Sequence, residues 1–109
     1  MNEAGIQVIQ ELCAQAYATS KDHGFSHDND GQAIALMHSE LSEALEAMRK
    51  PDKKDDHLPA FNPVGLELAD VCIRVFDFCG ARGIDLAACI KAKMDFNITR
   101  PLKHGGKLF

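Results

Sequence analysis

Two short motifs set carboxylates three residues apart: SELSE, Ser39 to Glu43, carries Glu40 and Glu43, and ELAD carries Glu67 and Asp70. Both lie in stretches of helical periodicity, where residues i and i+3 share a face. Between Leu66 and Cys79 the only polar residues are Glu67, Asp70, Arg74 and Asp77, and at helical pitch they fall within roughly 80° of one another. A helix so apolar elsewhere is expected to be buried on most sides. Ionised carboxylates withdrawn from water are costly unless compensated. Arg74 is expected to pair with Asp70 at i+4, but one arginine cannot balance Glu40, Glu43, Glu67 and Asp70 together. Divalent cations can. An all-oxygen donor set, with no His or Cys in either stripe, selects Mg²⁺, with Mn²⁺ possible, over zinc. The Glu-x-x-His pairs of a di-iron bundle do not occur.

Four helices must position these groups, and no strand pattern competes with them. The first is expected from about Asn2 to Ser20, with Ile6, Ile9, Leu12 or Cys13, and Ala16 at core spacing. The polar KDHGFSHDNDG follows, and Asp30 is a plausible cap for a second helix reaching Arg49. Its apolar stripe is Ile34, Met37, Leu41, Leu45 and Met48, while Glu40 and Glu43 stand apart among small apolar neighbours. His38, Ser42, Glu46 and Arg49 form the solvent face. KPDKKDDHLPAF reads as a solvated linker. Asn62-Pro63 opens a third helix, to about Ala81, and Asp85 caps a fourth that ends near Phe96 or Asn97. Pro101 and the paired glycines make the tail NITRPLKHGGKLF irregular. The fold class is all-α, a small four-helix bundle formed by a single domain over residues 1–109.

Composition narrows the functions available. The 109 residues are 46% hydrophobic and 26% charged, as in an ordinary globular domain. A net charge of −4 argues against a nucleic-acid binder that works by blanket phosphate neutralisation. The start, MNEAGIQVIQEL, has no basic region followed by an apolar run, and no segment has the length of a membrane span, so a cytoplasmic protein is expected. Cys13, Cys72, Cys79 and Cys89 have no zinc-like spacing and read as reduced core thiols.

The acidic motifs resemble those of the MazG-like, all-α nucleoside triphosphate pyrophosphohydrolases, whose pattern is EExxE on one helix and ExxD on a later one. SELSE and ELAD occupy those places, with Ser39 where the fuller pattern has a first Glu. The similarity extends from HGFSHDN through ADVCIRVFD to NITRPLKHGGK, which resembles the tail of one subgroup. It implies hydrolysis of a nucleoside triphosphate, in particular a deoxynucleotide, to the monophosphate and pyrophosphate, as house-cleaning of the nucleotide pool. It also implies Mg²⁺ at Glu40, Glu43, Glu67 and Asp70, and a bundle completed between subunits of a homodimer or homotetramer. The apolar third helix agrees with that assembly.

For such a reaction, Glu40 or Glu43 is expected to orient or deprotonate the attacking water. The pyrophosphate needs cations, with Lys91, Lys93, Arg100, Lys103, His104 and Lys107 as candidates and Asn97 one turn from Lys93. Arg74 is a further candidate, Gly105 and Gly106 allow backbone amides close to phosphate, and Phe25 is a candidate wall of the base pocket. His38 is expected outside the site, and Asp77 either serves as an outer ligand or pairs with Arg74. Two other readings stay open: a metal- and nucleotide-binding sensor, favoured by Ser39, and a structural helical dimer with solvated acids, disfavoured by the stripe on the third helix.

Overall fold

The computed structural model describes all residues from Met1 to Phe109. It is entirely helical: α1 Glu3–Asp22, α2 Asp30–Arg49, α3 Pro63–Arg82, α4 Leu86–Thr99 and a single turn, α5, Lys103–Gly106. Each long helix starts on a side-chain cap that satisfies amide groups the helix cannot. Asn2 accepts from the amide of Gly5, Asn29 from Gln32, Asn62 from Val64 and Gly65, and Asp85 from Ala88. The cap of α2 is therefore Asn29, with Asp30 as its first helical residue. Pro63 sits at the start of α3, where its missing N–H is no loss. Gly83, at φ 67°, ends α3 in the left-handed conformation that favours glycine. α1 continues to Asp22 and α4 to Thr99, each about half a turn beyond the sequence expectation.

α3 is the hub: α1 and α2 both pack on it, and α4 packs on α1. The α1–α3 crossing is close because of Gly80. A Cβ at Gly80 would overlap the Cys13 carbonyl oxygen and lie 2.9 Å from Tyr17 Cβ. None of the helices is long and apolar enough to cross a membrane.

The core of the single chain is slight. Only Cys13, Ala44, Cys79 and Ala87 are buried, and none of these is large. The expected core stripe of α2 is corrected: Ile34, Leu41, Leu45 and Met48 are exposed, Met48 by 61%. Instead Ala33, Met37, Glu40, Ala44 and Ala47, recurring at helical spacing, form the covered face of α2, and Glu46, expected on the solvent face, is also partly covered; the packing partner of α2 is α3. Nor is α3 covered on most sides, since Leu68, Cys72 and Ile73 are exposed. Cys72 and Cys89 are exposed rather than core residues, and all four cysteines are free.

The surface area states the same fact globally. The chain exposes 8217 Å², whereas a compact monomer of 11.9 kDa is expected to expose roughly 6,000 Å². Its radius of gyration is 16.3 Å, against about 13 Å for a compact domain of this length.

Candidate metal centre

The covered face of α2 explains why a carboxylate lies between helices. Ala33, Ala44 and Ala47 are small enough to let α2 approach α3, and Glu40 falls in register with them. From α3, Glu67 and Asp70 meet it. One carboxylate oxygen from each of Glu40, Glu67 and Asp70 lies within 4.8 Å of the others. Glu40 and Glu67 are partly covered, while Asp70 is exposed.

Arg74 makes a different pair from the one expected. Its Nε donates to Glu40 Oε1 at 3.0 Å, across the helices, rather than to Asp70 one turn away. The side chain of Glu40 is only 16% exposed, so a fixed charged donor replaces water that its carboxylate has lost. The remaining charge is not balanced. Desolvation first, then the charge of Glu40, pushes the Asp70 carboxyl up, with Arg74 opposing. Desolvation likewise raises Glu67, followed by Asp70, Glu40 and Glu43.

Glu43 stands outside the group of three and is exposed, yet its charge reaches Glu67, and the two residues line one small cavity. Ser39 Oγ donates to the Leu36 carbonyl at 2.7 Å, spent on its own helix. His38 is exposed.

Asp77 pairs with neither Arg74 nor the three acids. The Nε2–H of His27 donates to Asp77 Oδ1 at 2.8 Å, with Ser20 Oγ 3.2 Å from the same nitrogen and the Tyr17 ring edge-on to the imidazole. This Ser, His and Asp do not form a nucleophilic triad, which needs the serine and the acid on opposite ring nitrogens. They pin the α1–α2 connection to α3. Arg82 reinforces the same clip: its Nε donates to Asp30 Oδ1 at 2.7 Å and its Nη2 to the His27 carbonyl at 3.3 Å, and its guanidinium lies 3.9 Å over the Phe78 ring. Sequence reasoning assigned His27 no role and took Arg82, with Gly83, only as the stop of the third helix. The basic and acidic residues of HGFSHDND, beside a helix ending in Arg82, were the available signal.

The candidate phosphate ligands lie elsewhere. Lys93, Asn97 and Arg100 belong to α4 or its C-terminal cap, which packs on α1. Lys93 and Arg100 flank the Phe96 ring at 5.4 and 5.6 Å, and Lys91 is paired with Asp95 at 2.7 Å. Lys103 and His104 both have φ of 51°, in a left-handed turn with Gly105 and Gly106, while Lys107 caps the end of that turn. The one cation that shifts Asp70 is Arg74. Phe25 is 69% exposed on the α1–α2 connection. A larger open groove of about 890 Å³ runs between α1 and α4, and none of the clustered acids lines it.

Chemically, three convergent carboxylates with residual negative charge suit a hard divalent cation. Compared with models of protein families, with curated proteins and with solved structures, the chain has no match in any of the three.

Proposed function

We propose that the protein is a Mg²⁺-dependent pyrophosphohydrolase of nucleoside triphosphates, of the MazG-like kind, acting on the nucleotide pool. The observation that carries this reading is the convergence of Glu40, Glu67 and Asp70 from two helices with Arg74 alone paired to the group, at Glu40. The donor set suits the ion in kind: all candidate ligands are oxygens, one from each of three carboxylates within 4.8 Å of one another. Bound there, Mg²⁺, or Mn²⁺ in its place, supplies neutralisation of the triphosphate and polarisation of its α-phosphorus.

The chain's own residues divide the remaining work. Arg74 holds Glu40 in place, which leaves Glu43, outside the group of three and open to solvent, as the base. Glu43 takes a proton from the water whose oxygen bonds to the α-phosphorus. The bond from that phosphorus to the α–β bridging oxygen breaks, and pyrophosphate departs with the electron pair. Phe25, with Lys93 and Asn97 of α4 and Arg100, Lys103 and His104 of the segment that follows, completes the substrate site in the assembled protein. A second copy supplies that assembly. The exposed stripes of α2 and α3 and an excess of about 2,200 Å² of surface per chain, relative to a compact monomer, suit an obligate interface.

The test is anion-exchange analysis of each common dNTP and NTP incubated with the protein and Mg²⁺, beside a Glu43→Gln control. Monophosphate plus pyrophosphate, reduced at least about 100-fold in the control, is the expected outcome. Diphosphate plus phosphate would refute the assigned bond cleavage. Ser39, spent on its own helix where a further acid would serve, favours a second reading: a sensor that binds metal and nucleotide without turnover. That reading gives Mg²⁺-dependent stabilisation by a triphosphate and no product.

A further inference from the structure

We infer that Lys53 and Lys54, on the connection between α2 and α3, receive the β- and γ-phosphates of the substrate. This rests on the proposed reaction and assigns its leaving group a place in the fold. A cavity of about 180 Å³ lies where α2 ends and the connection begins, and its lining includes Glu43, Lys50, Lys53, Lys54, Asp55 and Glu67. Glu67 belongs both to this cavity and to the carboxylate group. An anion in the cavity therefore lies beside the metal centre.

The connection is built rather than slack. Asp55 Oδ1 accepts from the amides of His57 and Leu58, each at 2.8 Å, and the Lys53 amide donates to the Lys50 carbonyl at 3.0 Å. These bonds close turns on both sides of Lys54. Of the three lysines, Lys50 is committed to Glu46 at 2.9 Å. Lys53 and Lys54 have no ion-pair partner, so their ammonium groups are available to a ligand. The cations of α4 stand on a helix packed against α1.

The balance of charge adds a condition. Glu43, Glu46, Asp55, Asp56 and Glu67 also line this cavity and outnumber its lysines, so the metal-free protein repels a polyanion. Neutralisation of the neighbouring carboxylates by a divalent ion removes that repulsion, and the two free lysines then face the ligand. Pyrophosphate binding is consequently conditional on metal.

Titration calorimetry with inorganic pyrophosphate tests this on the full chain, with and without Mg²⁺, for the wild type, the K53A/K54A double variant, the K53R/K54R double variant and a Lys21→Ala control on α1. The expected result is binding by the wild type only with Mg²⁺, weakened about tenfold or more in K53A/K54A, restored in K53R/K54R and unchanged in the control. Stabilisation by Mg²⁺ alone should be the same in all four, since the lysines do not hold the metal. Unaltered pyrophosphate affinity in K53A/K54A would overturn the inference while leaving the reaction standing if the wild type still releases pyrophosphate. Metal-independent binding, or no binding by the wild type, would overturn it as well. Absence of both pyrophosphate binding and turnover would remove the proposed reaction with it.

Discussion

Arg74 reaches across to Glu40, so Asp70, on its own helix, lacks the ion pair that i+4 spacing offered. Burial and neighbouring charge raise the Asp70 and Glu67 carboxyls. Their ionised forms are therefore strained in the folded, metal-free state. The resulting destabilisation is fully present above the raised folded values, shrinks as pH falls through them, and vanishes below the ordinary carboxylate value of about 4. Asp70→Asn should raise the melting temperature of chelator-treated protein by about 2–4 °C at neutral pH. The gain should disappear in acid, and stabilisation by Mg²⁺ should be lost with it. Calorimetric melts of both proteins across pH, with chelator and with Mg²⁺, measure the two effects separately.

At the scale of the helices, the α1–α3 crossing depends on Gly80, where any side chain meets the Cys13 carbonyl. Gly80→Ala should cost about 2–3 kcal/mol by forcing the helices apart. Gly65→Ala on the same helix meets nothing nearer than Asn62 Cβ at 3.6 Å and should be neutral or stabilising by up to about 1 kcal/mol. Urea denaturation of the two variants gives the contrast. The helices themselves were legible because their ends are chemical: Asn62-Pro63, Asp85 and Gly83 each mark a boundary by what their backbone or side chain can do. The packing was less so. Periodicity groups Ile34, Leu41, Leu45 and Met48 into one stripe, but a stripe does not name its partner, and α3 took the alanine face instead. The acids of the site could be read because two motifs repeat one spacing on two helices. The Arg74–Glu40 pair could not, since its members are 34 residues apart, and no local rule joins them. His27 and Asp77, 50 apart, were hidden for the same reason, and Lys53 and Lys54 look like linker charge until the cavity beside Glu67 is seen.

For the whole molecule, the surplus surface is the dominant fact. Under the proposed assembly, stability is tied to chain concentration by mass action. The melting temperature should rise as the protein is concentrated, and sedimentation equilibrium should give a species at least twice 11.9 kDa. A Leu45→Glu/Ile73→Glu double variant, which places charge on both exposed stripes, should shift the species to monomer and melt at least about 10 °C lower. A wild-type chain that sediments as a monomer and melts independently of concentration would refute the assembly.

The four small buried residues also bear on time. A lone chain has little apolar burial with which to offset the entropy of ordering its backbone, so in the proposed assembly collapse and encounter become one event. Refolding would then be second order. The helices would form early and reversibly, held by their caps, while the carboxylates of α2 and α3 would reach a lasting arrangement only as quickly as two chains find each other. In a dilute cell the supply of new protein, more than the height of any internal barrier, would set how soon the three carboxylates come together.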